Sequence, residues 1–315
     1  MTISPTSTTH CPKELKHTVV NKPNLFLIGA PKCGTTSMSH YLAGHPDIFM
    51  SEESGLKEPW FYCSDFDAPW RIKSEKEYIA LFDQAPSNTK YHGEASACYL
   101  GSSTAVPEIL TSVANARFLV MLRNPVDLVL SLHNEHTKYG YETRDIETAW
   151  RLQSNHPSLT RPPGTFLLSD NCFQYGKVAL LGKQLHRLYE LVDKKQVHWI
   201  LYEDFQQDPA KAYRDTLAFL ELPDDARADF KKLNPSITYR WPSLEKSLRT
   251  LRRVRSDFGL PGGLGLHKLI NRFNVRPGKR PVDEHFRREL QDFFHNDILL
   301  LSNTIDRDLS AWLNA

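Results

Sequence analysis

Apolar residues along this chain fall into short unbroken runs, separated by longer stretches in which they recur at helical spacing. Leu25-Phe26-Leu27-Ile28, Phe118-Leu119-Val120-Met121-Leu122 and Trp199-Ile200-Leu201 contain no polar residue. Continuous rather than alternating apolarity predicts strands covered on both faces, as in a parallel sheet. The predicted strands are Leu25–Gly29, Asp47–Ser51, Lys90–Glu94, Arg117–Leu122 and Val197–Tyr202.

Helical patterns fill the intervals. A helix opens near Thr35 and stops at Gly44, with Pro46 just beyond. Asn124-Pro125 reads as N-cap and first-turn proline for a helix through Val126, Val129, Leu130 and Leu132. Further helices are expected over Val178–Val192, from Asp208-Pro209 through Tyr213, Leu217 and Leu220, and from Asp283 to about Leu301. Strand and helix alternation predicts one doubly wound α/β domain over residues 23–315, behind a flexible Ser/Thr-rich lead at 1–22. Within it, residues 233–281 carry Pro235, Pro242, Pro261-Gly262-Gly263 and Pro277-Gly278, and are expected to form an irregular segment covering substrate or cofactor.

Composition narrows the class without naming a chemistry. With 40% hydrophobic and 24% charged residues, the 315-residue chain has the make-up of a soluble globular enzyme. A formal net charge of +2 gives no reason to expect a nucleic-acid partner. Basic residues do cluster at Arg249–Arg255 and Arg276–Arg280, where a local anionic ligand competes with the plainer reading of a solvated face. The five cysteines, at 11, 33, 63, 98 and 172, show no CxxC spacing, so a reducing compartment is expected rather than disulfides or zinc. No apolar run approaches the roughly 20 residues of a membrane span, and the N-terminal stretch lacks an apolar signal core. These features lead to the expectation of a cytoplasmic protein with no membrane anchor.

Chemistry concentrates first in Gly29-Ala30-Pro31-Lys32-Cys33-Gly34-Thr35-Thr36-Ser37. A strand runs into a turn of small residues and then into a helix that starts with three hydroxyl side chains. Amides at a helix N-terminus and the helix dipole favour an anion there, and Lys32 adds a mobile cation. The spacing G-x-x-x-x-G matches a nucleoside-triphosphate loop, but Thr35 stands where such a loop places its lysine. A phosphate or phosphosulfate is the natural occupant. The segment Pro31–Ser37 resembles the P-K-x-G-T-T-x loop of sulfotransferases that use 3′-phosphoadenosine 5′-phosphosulfate (PAPS).

That resemblance gives meaning to other segments. Arg123-Asn124-Pro125, at the end of a predicted strand, is followed by Ser131 in the next helix. Ligands of open α/β sheets bind outside that strand end, and a guanidinium with a hydroxyl suits a phosphate monoester. In the family this R-D/N-P…S element is the 3′-phosphate site. Lys57-Glu58-Pro59-Trp60-Phe61-Tyr62 is similar to the K-E-P-x-F-F segment of bacterial and heparan-type members, where the glutamate is the general base; the matching residue is Glu58. His92-Gly93-Glu94-Ala95-Ser96-Ala97-Cys98-Tyr99 aligns with E-K-x-P-x-Y, but has Ala95 where the family has a lysine near the sulfonate. As base, Glu58 ranks first, Glu94 second and His92 third, while His133 and His136 are further residues that could face an acceptor. Tyr202-Glu203-Asp204-Phe205-Gln206-Gln207-Asp208-Pro209 resembles the family's Y-E-D-L-x-x-D-P, which is structural there.

The resemblance implies a P-loop-NTPase-like three-layer fold, a central parallel sheet flanked by helices. It further implies that Lys32, Cys33, Gly34, Thr35, Thr36 and Ser37 hold the 5′-phosphosulfate. Arg123 and Ser131 would hold the 3′-phosphate, with Lys279 and Arg280 on that side. Glu58 and Lys32 would be catalytic, no metal would be needed, and adenosine 3′,5′-bisphosphate (PAP) would remain after transfer. The expected acceptor is a hydroxyl or amine on a small molecule or saccharide. The competing readings are a P-loop kinase or nucleotide hydrolase, and a nucleotide-binding regulatory protein.

Overall fold

The computed structural model describes residues 21–155, 168–231, 233, 237–239, 275–277 and 282–314. Five strands, β1 (Leu25–Gly29), β2 (Ile48–Met50), β3 (Tyr91–Glu94), β4 (Arg117–Leu122) and β5 (Val197–Leu201), form one sheet in the order β2-β3-β1-β4-β5. Every pairing in it is parallel. All five residues of β1 are buried, as are Phe118 to Leu122 of β4, which is what their unbroken apolar runs require of strands covered on both faces.

Helices connect and cover the sheet: α1 (Thr35–Ala43), α2 (Glu75–Ala80), α3 (Ala105–Ser112), α4 (Pro125–Tyr139), α5 (Ile146–Asn155), α6 (Tyr175–Ala179), α7 (Leu181–Leu191), α8 (Tyr202–Gln207), α9 (Pro209–Phe219) and α10 (Glu284–Ile305). A two-stranded antiparallel ribbon, β6 (Ile237–Tyr239) with β7 (Val275–Pro277), lies at the two ends of the segment expected to be irregular. Among the described residues no helix is long and apolar enough to cross a membrane. The expected lead up to residue 20, most of the segment at 233–281, and both Lys279 and Arg280 lie outside the described residues.

The caps fall where the sequence places them. The Asn124 side chain accepts from the Val126 amide at 3.0 Å, Asp208 accepts from Lys211 at 2.8 Å, and Asp283 accepts from His285 at 2.8 Å. One expected helix differs. Val178–Val192 is broken at Leu180, because the start of α7 is capped from a distance: Asp297 on α10 accepts the amides of Gly182 at 2.8 Å and Lys183 at 2.9 Å. A buried carboxylate more than a hundred residues away satisfies that helix end, so no local residue marks it.

The strand order places the site. The chain leaves β1 for the β2 side of the sheet, returns through β3, and crosses to β4 on the other side of β1. The loops after β1 and β4 therefore diverge at the carboxyl edge and leave a crevice between them, the usual ligand position in such sheets.

Candidate active site

The turn from β1 into α1 is tightly built. The Ala30 amide donates to the Met121 carbonyl of β4 at 2.6 Å, and Leu100 donates to Ile28 at 2.8 Å. A Cβ on Gly29 would meet Leu100 Cβ at 2.6 Å, and Gly34 adopts φ 90 with the Phe205 and Tyr202 rings close behind it. Both glycines are demanded by geometry, one by close approach and one by a left-handed backbone. Lys32 is also left-handed, at φ 65, the kind of backbone strain that collects at functional loops. No side chain caps α1, and Gly34, Thr35, Thr36 and Ser37 all line the cavity in front of it. The Ser37 amide already donates to the Gly34 carbonyl at 3.0 Å, and the start of α1 presents its dipole and hydroxyls to the cavity, an arrangement that favours an anion.

Two members of the loop are committed elsewhere. Cys33 lies on the inside of the turn: its amide closes onto the Ala30 carbonyl at 3.3 Å, its thiol is fully buried, and burial pushes that thiol up to about 12. Cys33 is not among the residues that line the cavity, and its thiol faces the inside of the turn. The Ser37 hydroxyl accepts from the Leu233 amide at 3.2 Å, so it ties down the segment after α9 while remaining at the cavity wall.

The cavity, about 510 Å³, is lined by Lys32, Glu58, Arg123 and Ser131 together, although they come from three separate segments. Arg123, almost fully buried, donates to the Lys32 carbonyl at 2.7 Å and stacks over the Tyr202 ring at 4.5 Å. Its buried Nε has no hydrogen-bond partner among the described residues. A buried guanidinium nitrogen left unsatisfied is costly unless an anion completes it. Ser131 is half-buried in α4, about two turns along the helix that Arg123 precedes.

Glu58 stands between two donors. Lys57 Nζ approaches Oε1 at 2.8 Å, and the Trp60 indole donates to Oε2 at 3.2 Å. Its loop is pinned by the Trp60 amide on the Ser96 hydroxyl at 3.1 Å and by Arg71 on the Trp60 carbonyl at 3.1 Å. Lys57 Nζ also reaches the Thr35 hydroxyl at 3.4 Å, so one cation bridges the carboxylate to the anion cradle. Lys57 was given no role by the sequence, although it belongs to the segment that drew attention to Glu58. Its backbone carbonyl accepts from the Ala95 amide at 3.2 Å, so the Lys57 main chain runs beside the position where the resembling segment has a lysine.

The other candidate bases lie elsewhere. Glu94 is fully buried behind the cavity wall and accepts from Tyr78 at 2.7 Å, Tyr99 at 2.8 Å and the Ser96 hydroxyl. Burial is the main cause that pushes its carboxyl up to about 7. His92 is buried at the sheet, where burial lowers its pKa, and neither residue lines the cavity. His136 does line it, but burial pulls its ring down to about 3 and its Nδ1 meets the Tyr175 hydroxyl at 3.2 Å. His133 Nε2 meets the Arg144 carbonyl at 3.0 Å. His92 and His133 do not line the cavity, and His136 meets it as a buried ring.

The raised Glu94 has a measurable consequence. Because the folded state holds this proton more tightly than the unfolded chain, its stabilising contribution is complete below about 4.5 and is lost as pH rises to about 7. Each tenfold difference in proton affinity between the two states is worth about 1.4 kcal/mol, which makes the loss on the order of 3 kcal/mol. Urea unfolding between pH 5 and 7 should show wild type losing more stability than Glu94→Gln. Parallel profiles for the two proteins would refute it.

Around the cavity mouth, Trp60, Phe66, Trp70, Tyr139 and Tyr141 form an aromatic wall, with Trp70 and Tyr139 exposed at the rim. The acidic pair after β5 is already engaged. Glu203 accepts from the Asn124 amide at 3.3 Å, and Asp204 forms a double contact with Arg307 at 2.7 and 2.9 Å. Sequence reading also missed Glu135, which lines the cavity and forms an ion pair with Lys32. It lies one helical turn after Ser131, so the i, i+4 spacing on α4 was the available clue.

Comparison with known proteins agrees with this geometry. A family model for the sulfotransferase domain matches residues 22–237. The membrane-associated sulfotransferase kil1 of Dictyostelium discoideum is 32% identical over 286 residues, covering 67% of this chain and 59% of that protein. The bifunctional heparan sulfate N-deacetylase/N-sulfotransferase 1 of Caenorhabditis briggsae is 22% identical over 218 residues, covering 68% of this chain and 24% of its own. The chain thus spans from about a quarter to about three fifths of these curated relatives' lengths. The crystal structure of a sulfotransferase from Alicyclobacillus acidocaldarius superposes with a TM-score of 0.69 at 26% identity, covering 92% of this chain and 98% of that one. With its family match extending over more than half of its length, the chain belongs to the sulfotransferase domain family.

Proposed function

We propose that this protein transfers a sulfuryl group from PAPS to a hydroxyl or amine of a small-molecule or saccharide acceptor. The observation that carries the reading is the single cavity into which the α1 cradle, Lys32, Arg123, Ser131 and Glu58 all open. The family's donor has two anionic ends, and the residues present suit both. The amides at the start of α1 with Lys32 suit the 5′-phosphosulfate. Arg123, whose buried Nε has no partner among the described residues, and Ser131 suit the 3′-phosphate.

When bound, the donor supplies an activated sulfuryl group; the remaining work belongs to side chains of this chain. Glu58 takes the acceptor proton as the acceptor atom attacks, its carboxylate oriented by Lys57 and the Trp60 indole. Lys32 neutralises charge on the departing phosphate, and Lys57, near Thr35, adds a second cation on that side. The aromatic wall offers a flat surface for a sugar ring or an aromatic alcohol and limits water at the reacting atoms. Calorimetric titration should find PAP binding at least about tenfold more tightly than magnesium–ATP, a difference of about 1.4 kcal/mol. Equal or tighter binding of ATP would favour the P-loop kinase reading and reject this one.

A further inference from the structure

Lys32, which lines the cavity, and Lys57, which reaches Glu58 and Thr35 beside it, are each paired with a different carboxylate. Lys57 holds Glu58, its neighbour in sequence, whereas Lys32 donates to Glu135, contributed by α4 from across the crevice. The lysine that the anion cradle needs is thus already engaged. Its backbone is tied down: the left-handed turn is held by Arg123 on the Lys32 carbonyl at 2.7 Å and by the buried strand before it. The side chains are not so confined, being 24% exposed for Lys32 and 35% for Glu135. Only the flexible lysine side chain need turn to bring its ammonium from Glu135 to an anion at the start of α1.

We infer that Glu135 is the resting partner of Lys32, a positioning residue that competes with the donor for the ammonium and so sets donor affinity. The inference rests on the donor assignment above. Its physical basis is exchange of one counter-anion for another. At rest, Glu135 neutralises a cation that would otherwise sit unpaired in a partly enclosed cavity. On donor binding, the phosphosulfate makes the same charge-assisted contact, and the lost pair is subtracted from the affinity. A half-exposed ion pair has a modest value, so removing the competitor should tighten binding by roughly two- to fivefold. A site without this competitor would also leave Lys32 free to capture other cellular anions.

The test is calorimetric titration of PAP into wild type, Glu135→Gln, Lys32→Met and the double variant, with thermal unfolding to verify that each folds. Glu135→Ala repeats the measurement with no group left to hold the ammonium. Both Glu135 variants are expected to bind PAP about two- to fivefold more tightly than wild type. In the Lys32→Met background the same substitutions should bring no gain. Unchanged or weaker binding by the single variants would overturn the inference. So would a gain that persists without Lys32, since simple repulsion between Glu135 and the phosphate would then explain it. If wild type does not bind PAP at all, the donor assignment fails and takes this inference with it; a failure with PAP binding intact removes only the role of Glu135.

Discussion

Glu58→Gln is expected to lower turnover by roughly 10²- to 10⁴-fold, the range for loss of a positioned general base, while changing PAP affinity little. The substitution is close to isosteric, and the amide oxygen still accepts from the Trp60 indole, so the loop should keep its shape. What disappears is the group that receives the acceptor's proton. The ion pair with Lys57 also goes, but the Glu58 side chain is 31% exposed, so the stability cost should be small. Turnover is read with labelled PAPS against the acceptor that responds best in a panel of saccharides, phenols and alkanols. Retained activity would sink the assignment. Glu94 is a poor substitute base because it is sealed behind the cavity wall by three hydroxyl donors.

The second large effect is expected at Arg123. Arg123→Ala should weaken PAP by roughly 10- to 150-fold, the equivalent of about 1.5–3 kcal/mol for hydrogen bonds to a charged group. Adenosine 5′-phosphosulfate, which lacks the 3′-phosphate, should lose far less. The comparison matters because Arg123 has a structural duty as well: it holds the Lys32 carbonyl and covers the Tyr202 ring. If that duty dominates, both ligands weaken together through the loop, and the 3′-phosphate assignment is wrong. Arg123→Lys helps to separate the effects, since it keeps the charge but loses the planar fork.

The legible parts of this molecule share a property: each is decided by residues close together in the chain. The buried strands β1 and β4 are unbroken apolar runs, and such runs are stable only when both faces are covered. The turn at Gly29–Gly34 is local sterics, and the caps at Asn124, Asp208 and Asp283 are side chains bonding to amides two or three residues ahead. Even the two halves of the proposed donor site were visible, because each is a strand end followed by a helix start. Where reading failed, the missing partner was distant. Asp297 caps α7 across more than a hundred residues, and so a helix expected to be continuous is broken at Leu180. Cys33 belongs to the right loop but faces inward, a matter of turn geometry rather than residue type.

The carboxylates show the division most sharply. As residue types, Glu58, Glu94 and Glu135 are equivalent, and the sequence could rank the first two only through their neighbours. Their environments separate them: one half-exposed between a lysine and an indole, one buried among hydroxyls and raised to about 7, one across the crevice on Lys32. The sequence by itself determined the strands, the anion-binding turn, the arginine–serine element and the family they resemble, because periodicity, capping and tight-turn sterics act over a few residues. The tertiary structure alone decided which acids face the cavity and which cation each one holds. That depends on the strand order β2-β3-β1-β4-β5, which brings the ends of distant segments to one edge of the sheet, and on the burial that follows from it.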